Sequence, residues 1–94
     1  MVQDIISPER LAKYFDYTKR GIAEASAAVN SSRRKDALDF LDMAQRYYSD
    51  AQHFFEKGDV VTAFAALNYA HGWLDAGARI GLFDVHNSEL FTVD

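Results

Sequence analysis

His53, His71 and His86 are the only histidines in this chain, and two of them have a carboxylate within one helical turn. Asp50 stands three residues before His53, and Asp75 four after His71. Such spacings put both groups on one helical face. An imidazole and a carboxylate could share a metal ion, but structural zinc takes four protein ligands and catalytic zinc usually three. The Glu-x-x-His repeats of di-iron bundles are missing as well. No metal or other cofactor is therefore expected. His71 shares a face with Phe64, Leu67, Leu74 and Ala78, which predicts a hydrogen-bonded core histidine. His53, followed by Lys57, reads as helix-end polarity with no further role.

Covalent chemistry has less to work with. The chain has no cysteine. Its serines, Ser7, Ser26, Ser31, Ser32, Ser49 and Ser88, fall in caps, loops or outward positions without a base paired in sequence. Gly72, Gly77 and Gly81 read as interior to a helix, so they build no phosphate-cradling loop between strand and helix. No enzymatic activity is predicted.

Three groups of residues could instead make contacts. Asn68, Gly72, Asp75 and Arg79 recur at intervals of four, three and four. They form either an outward strip with an Asp75–Arg79 ion pair worth a few tenths of a kcal/mol, or a polar locus inside a partly buried interface. Phe40, Tyr47 and Phe54, spaced by seven, form a second aromatic column beside the main seam of their helix. With Trp73 they make a candidate apolar interface, aromatic rings being favoured anchors. Arg33, Arg34 and Lys35 could grip phosphates, with Tyr14 and Tyr17 available for stacking.

The elements that carry these residues follow from punctuation. Ser7 before Pro8 signals a helix start, and Leu11, Tyr14, Phe15, Thr18, Ile22, Ala25 and Val29 step by three and four. Asn30-Ser31-Ser32 closes that helix. A second runs on a seam of Ala37, Leu41, Ala44, Tyr48, Ala51 and Phe55. Glu9–Lys13, Asp16–Arg20 and Asp42–Arg46 are favourably ordered i,i+4 pairs. Gly58 supplies a left-handed stop and Asp59 a cap, so the link to the third helix is short enough to force antiparallel neighbours. Ala63, Ala66, Ala70, Gly77 and Gly81 on one side of that third helix would let another helix come close. The expected architecture is all-α, an up-down-up three-helix bundle with helices near 8–29, 36–57 and 60–82. The tail, with Leu90, Phe91 and Val93, packs back on the bundle, and a short fourth helix there is the competing arrangement.

Charge and hydropathy bound the rest. Up to Lys35, seven bases oppose four acids, a formal +3; from Asp36 onward three bases oppose ten acids, a formal −7. The two parts attract each other, or the same surfaces on a second copy. From Val60 to Phe83 only Asp75 and Arg79 carry formal charge, so that helix needs cover on most sides. Its charge pair and glycines argue against a membrane span, and the first residues lack a signal-peptide pattern. A cytoplasmic protein of one domain, 1–94, is expected.

The run EKGD, the phrase LNYAHGWLDAGARIGLF and the closing LF resemble an uncharacterised family of short archaeal proteins, domain-of-unknown-function family 357. The likeness is strongest from Ala44 to Phe83. It implies a helical bundle with no established activity, and it offers no catalytic residues to carry over. The hairpin also looks like a tetratricopeptide repeat at Ala51, Phe55, Gly58, Asp59 and Ala63, but no second copy follows at the required period. It is similar to HEPN-type helical domains too, without their Arg placed four to six residues before a His. The expected function is a small non-enzymatic protein-interaction module that can self-associate. An RNA-associated protein using Arg33, Arg34 and Lys35 is the alternative, disfavoured by the acidic net charge.

Overall fold

A computed structural model describes residues 6–92. Its first helix, α1 (Pro8–Ala27), starts where the Ser7 hydroxyl accepts the Arg10 N–H at 3.1 Å, with Pro8 as the first helical residue. It stops two residues short of the expected 29. Val29 instead leaves the helix to form an isolated antiparallel bridge with Phe83. A single 3-10 turn, Ser31–Arg33, runs directly into α2 (Arg34–Glu56), two residues ahead of the expected Asp36.

Gly58, at φ 80°, ends α2 through a Schellman arrangement. The Asp59 N–H donates to the Phe54 carbonyl at 2.9 Å and the Gly58 N–H to that of Phe55 at 3.0 Å. The Asp59 carboxylate then accepts the Thr62 N–H at 3.1 Å and caps α3 (Val60–Arg79). This link makes α2 and α3 the closest helix pair. The same device ends α3. Gly81 has φ 82°, the Leu82 N–H donates to the Gly77 carbonyl at 2.8 Å, and the Gly81 N–H to that of Ala78 at 3.2 Å. The helix therefore stops at Arg79 rather than 82, and Gly81 is its stop signal rather than a member of its small-residue side.

Small residues fill the helix seams. Ala37, Ala44 and Ala51 on α2, and Ala63, Ala66, Ala70 and Gly77 on α3, are all buried. Such positions permit close approach but contribute little apolar volume, and a protein interior must be filled to crystal-like density. The segment after α3 supplies the bulk. Leu82, Phe83, Val85, Leu90 and Phe91 are buried with Ala25, Leu41 and Leu74 in the larger core cluster. A smaller cluster of Leu11, Ala51, Ala66 and Leu67 occupies the other end. The tail is extended near Phe83 and turns at Asn87, whose carbonyl accepts the N–H groups of Leu90 and Phe91 at 3.0 and 2.9 Å. It packs back as expected, without a fourth helix among the described residues; Val93 lies outside them.

Other expectations need adjusting. Phe55, placed in the core seam by its spacing, is 52% exposed, with its ring 5.7 Å from Phe15. Asp16–Arg20 and Asp42–Arg46 pair at 3.5 and 2.9 Å, whereas Glu9–Lys13 is not an ion pair. Arg20 reaches on to Glu89 of the tail at 2.9 Å. No described helix is long and apolar enough to cross a membrane.

The two interior glycines of α3 differ in kind. A Cβ at Gly77 would lie 2.9 Å from Cδ2 of Phe83 and closer still to Cε2, whereas a Cβ at Gly72 would meet nothing within 4 Å. Alanine should therefore act with opposite signs at these sites. In urea unfolding, Gly77→Ala is expected to lower stability by about 1–3 kcal/mol through overpacking. Gly72→Ala is expected to raise the stability of the single chain, measured at dilution, by up to ~1 kcal/mol, the helix-propensity difference.

Candidate interaction surface

Helix α3 turns its core face, Ala63, Ala66, Leu67, Ala70, Leu74 and Gly77, inward, which leaves two outer flanks with different chemistry. Toward α2 lies an aromatic groove. Phe40 and Trp73 meet edge to face with centroids 5.0 Å apart, and Tyr47 stacks on Tyr69 at 5.3 Å with ring planes 23° apart. Phe40, Asn68, Tyr69, Gly72, Trp73 and Ala76 line an open depression of about 460 Å³. Gly72 and Ala76 carry no large side chain, so they form its floor. Of the large apolar residues left exposed, Val61 (60%), Tyr69 (62%) and Ile80 (50%) all lie on or at the end of this helix.

The fold brings Phe40, Tyr47 and Trp73 of the expected apolar interface to one groove and adds Asn68 and Gly72 from the polar strip. Phe54 is not part of the group. It sits near the end of α2, half-buried, with His53 edge-on at 5.6 Å. Tyr69 was missed by sequence reasoning, although its places four after Ala65 and three before Gly72 mark the outward face.

Asp75 departs from its expected partner. Its carboxylate accepts the Thr92 N–H at 2.9 Å and the Thr92 hydroxyl at 3.4 Å. Among the described residues it forms no ion pair with Arg79, which is exposed in the last turn of α3. The predicted strip is therefore divided. Asn68, Gly72 and Arg79 face outward, while Asp75 ties down the tail.

On the opposite flank, α1, α3 and the tail enclose a smaller cleft of about 290 Å³, lined by Tyr14, Tyr17, Asn68, His71 and Asp75 together with residues 88–92. His71 is half-buried here and has no hydrogen bond to protein among the described residues, a departure from the hydrogen-bonded core histidine expected. Removal from water holds its imidazole below the ordinary value of 6.5, against the opposing charge of Asp75. The tyrosines of the cleft are already engaged. Phe64 packs edge-on to Tyr14 at 5.0 Å, the Arg10 guanidinium lies 5.8 Å above the Tyr14 ring, and the Lys13 ammonium 5.5 Å above Tyr17.

The basic loop is partly committed as well. The Arg33 guanidinium donates to the Ile80 carbonyl at 2.6 Å and lies 3.9 Å from Asp36, so it caps the end of α3. Arg34 and Lys35 are exposed in the first turn of α2. Asn30 makes the same crossing: its side-chain N–H donates to the Gly81 carbonyl at 3.0 Å and its backbone N–H to that of Leu82 at 2.8 Å. No described group of three or more His, Asp or Glu converges as a metal site would require.

The model of the family described as "Protein of unknown function (DUF357)" matches residues 13–83. No curated protein and no solved structure matches the chain.

His71 gives this surface a pH signature. Burial lowers its pKa, so the unfolded chain binds the proton more readily, and stability falls as pH drops below about 6.5 while remaining intact above it. The titratable groups that share the cleft with His71 are Tyr14 and Tyr17 of α1, Asp75 one turn along α3, and Glu89 of the tail, of which Asp75 acts on its charge. Thermal melts at pH 7.5 and 5.5 are expected to show a loss for the wild type at the lower value, and a smaller loss for His71→Gln.

Proposed function

The chain belongs to the family of proteins of unknown function DUF357, and from the geometry of its third helix we propose that it is an interaction module whose contact surface is the outer face of α3 with the flanking rings of α2. The supporting observation is the groove itself. Tyr69 stands 62% exposed against Tyr47, above a floor that Gly72 leaves open. Aromatic rings held in place by other rings and set around an open hole are the components from which binding hot spots are built. Little ordering entropy is lost when such side chains are already fixed.

Nucleic-acid contact through Arg33, Arg34 and Lys35 has less to rest on. Arg33 is occupied with the α3 terminus, and the net charge of −4 opposes a polyanion. The polar cleft around His71 offers one imidazole and carboxylates that are already hydrogen-bonded or ion-paired, which is thin material for catalysis.

Gly72→Arg tests the contact surface, because the new side chain projects into open space in the single chain and blocks the groove floor. Tagged wild type and variant, expressed in the native host and compared by quantitative co-purification with cross-linking, are expected to differ. At least one species, another protein or a further copy of the chain, is held by the wild type and lost by the variant. Identical sets from two equally folded proteins would refute the assignment of this face.

A further inference from the structure

The exposed side of α3 and its cap runs Val61, Ala65, Tyr69, Gly72, Ala76 and Ile80, each of them solvent-facing. The intervals are four, four, three, four and four, the same in both directions. The sizes mirror as well: a branched apolar residue at each end, an alanine next, and at the centre a large ring beside a residue with no side chain. A helix reversed against itself therefore opposes Val61 to Ile80, Ala65 to Ala76, and Tyr69 to Gly72. We propose that the occupant of this face is a second copy of the same chain, with the two α3 helices antiparallel about a twofold axis between Tyr69 and Gly72. The inference rests on the reading of this face as the contact surface and adds the identity of the partner.

Two further observations support self-pairing. Charge is the first. Asp59 stands just before α3 and Arg79 in its last turn, both exposed, and the six face residues between and beyond them are uncharged. Antiparallel pairing brings Arg79 of each copy within about one helical turn of Asp59 of the other, and a parallel pair would set like charges together. Gly72 is the second. An exposed glycine weakens a helix, and nothing in the single chain requires one, since a Cβ there meets nothing within 4 Å. A Tyr69 ring arriving from a second copy needs that space. The stack of Tyr69 on Tyr47 and the edge contact of Phe40 with Trp73 hold the rims of the hole in place before pairing. A strip ~30 Å long and roughly 15 Å wide on each copy would remove on the order of 1,000 Å² in total from water, the lower end of specific interfaces. An isologous twofold contact of this kind also closes on itself.

The absence of native cysteine permits a direct test by sedimentation and engineered disulfides. The expected wild-type mass is twice 10.6 kDa, and Gly72→Arg is expected to halve it with an unchanged helical circular-dichroism signal. Under mild oxidation the double variant Ala65→Cys with Ala76→Cys should cross-link to its own copy, and Ala65→Cys alone should not. A dimer cross-linked through Ala65→Cys alone, or one that persists in Gly72→Arg, would overturn the antiparallel pairing. A monomeric wild type that loses a different bound protein on Gly72→Arg overturns self-pairing and leaves the contact surface standing; a monomer that holds nothing through this face overturns both.

Discussion

The contact between the Phe83 ring and the bare backbone of α3 at Gly77 is the interaction from which the rest of the arrangement follows. Alanine-rich seams let α2 and α3 lie close, but they leave the bundle short of apolar volume at the end where α1 also has to pack. Leu82, Phe83, Val85, Leu90 and Phe91 make up that volume. The ring can sit so low only because Gly77 has no Cβ. Gly81, by ending α3 in a left-handed residue, turns the chain so that Phe83 arrives there. A tail in this protein is thus a core element.

Once the tail occupies the α1 side of α3, the remaining surfaces of that helix are assigned by exclusion. Asp75 becomes the anchor of Thr92, and His71 is left half-covered between α1 and the returning strand of chain. Among the described residues, the side next to α2 is left without cover from the tail. It is there that aromatic rings from both helices gather around Gly72. The hydrophobic surplus of α3 therefore divides into a part satisfied within the chain and a part that faces outward. Position relative to the tail separates the two, since composition alone is similar on both sides.

Much of the fold was legible because its signals are local. Ser7-Pro8, Gly58-Asp59 and the three-and-four spacing of apolar residues each specify structure within one or two turns, and the helices begin and end close to where those signals fall. What escaped the sequence depends on partners far away along the chain. Gly81 carries the same stop signal as Gly58 but reads as helix interior, because apolar residues continue past it; those residues turned out to feed the core from an extended segment. Arg33 looks like a free cation until its bond to the Ile80 carbonyl, 47 positions away, is known. Asp75 likewise prefers a backbone N–H in the tail to an arginine one turn along its own helix. A main-chain donor without another partner is a stronger claim on a carboxylate than an exposed guanidinium screened by water. The aromatic group was half legible. Spacing pointed to Phe40 and Tyr47 but also to Phe54, which lies apart from them, while Tyr69 could be placed only after the outward side of α3 was known.

The late position of the tail has a bearing on how the chain acquires its structure during synthesis. All three helices leave the ribosome before the residues that fill the space among them. Until Phe91 has emerged, the cluster that holds Leu41 and Leu74 is incomplete, and the nascent bundle exposes apolar surface that the finished fold covers. The α2–α3 hairpin, with its short link and close alanine contacts, is the local unit able to form first, in keeping with the faster closure of contacts near in sequence. Consolidation of α1 then waits on the segment after α3, so residues made later than all three helices are among the first needed for a rigid core.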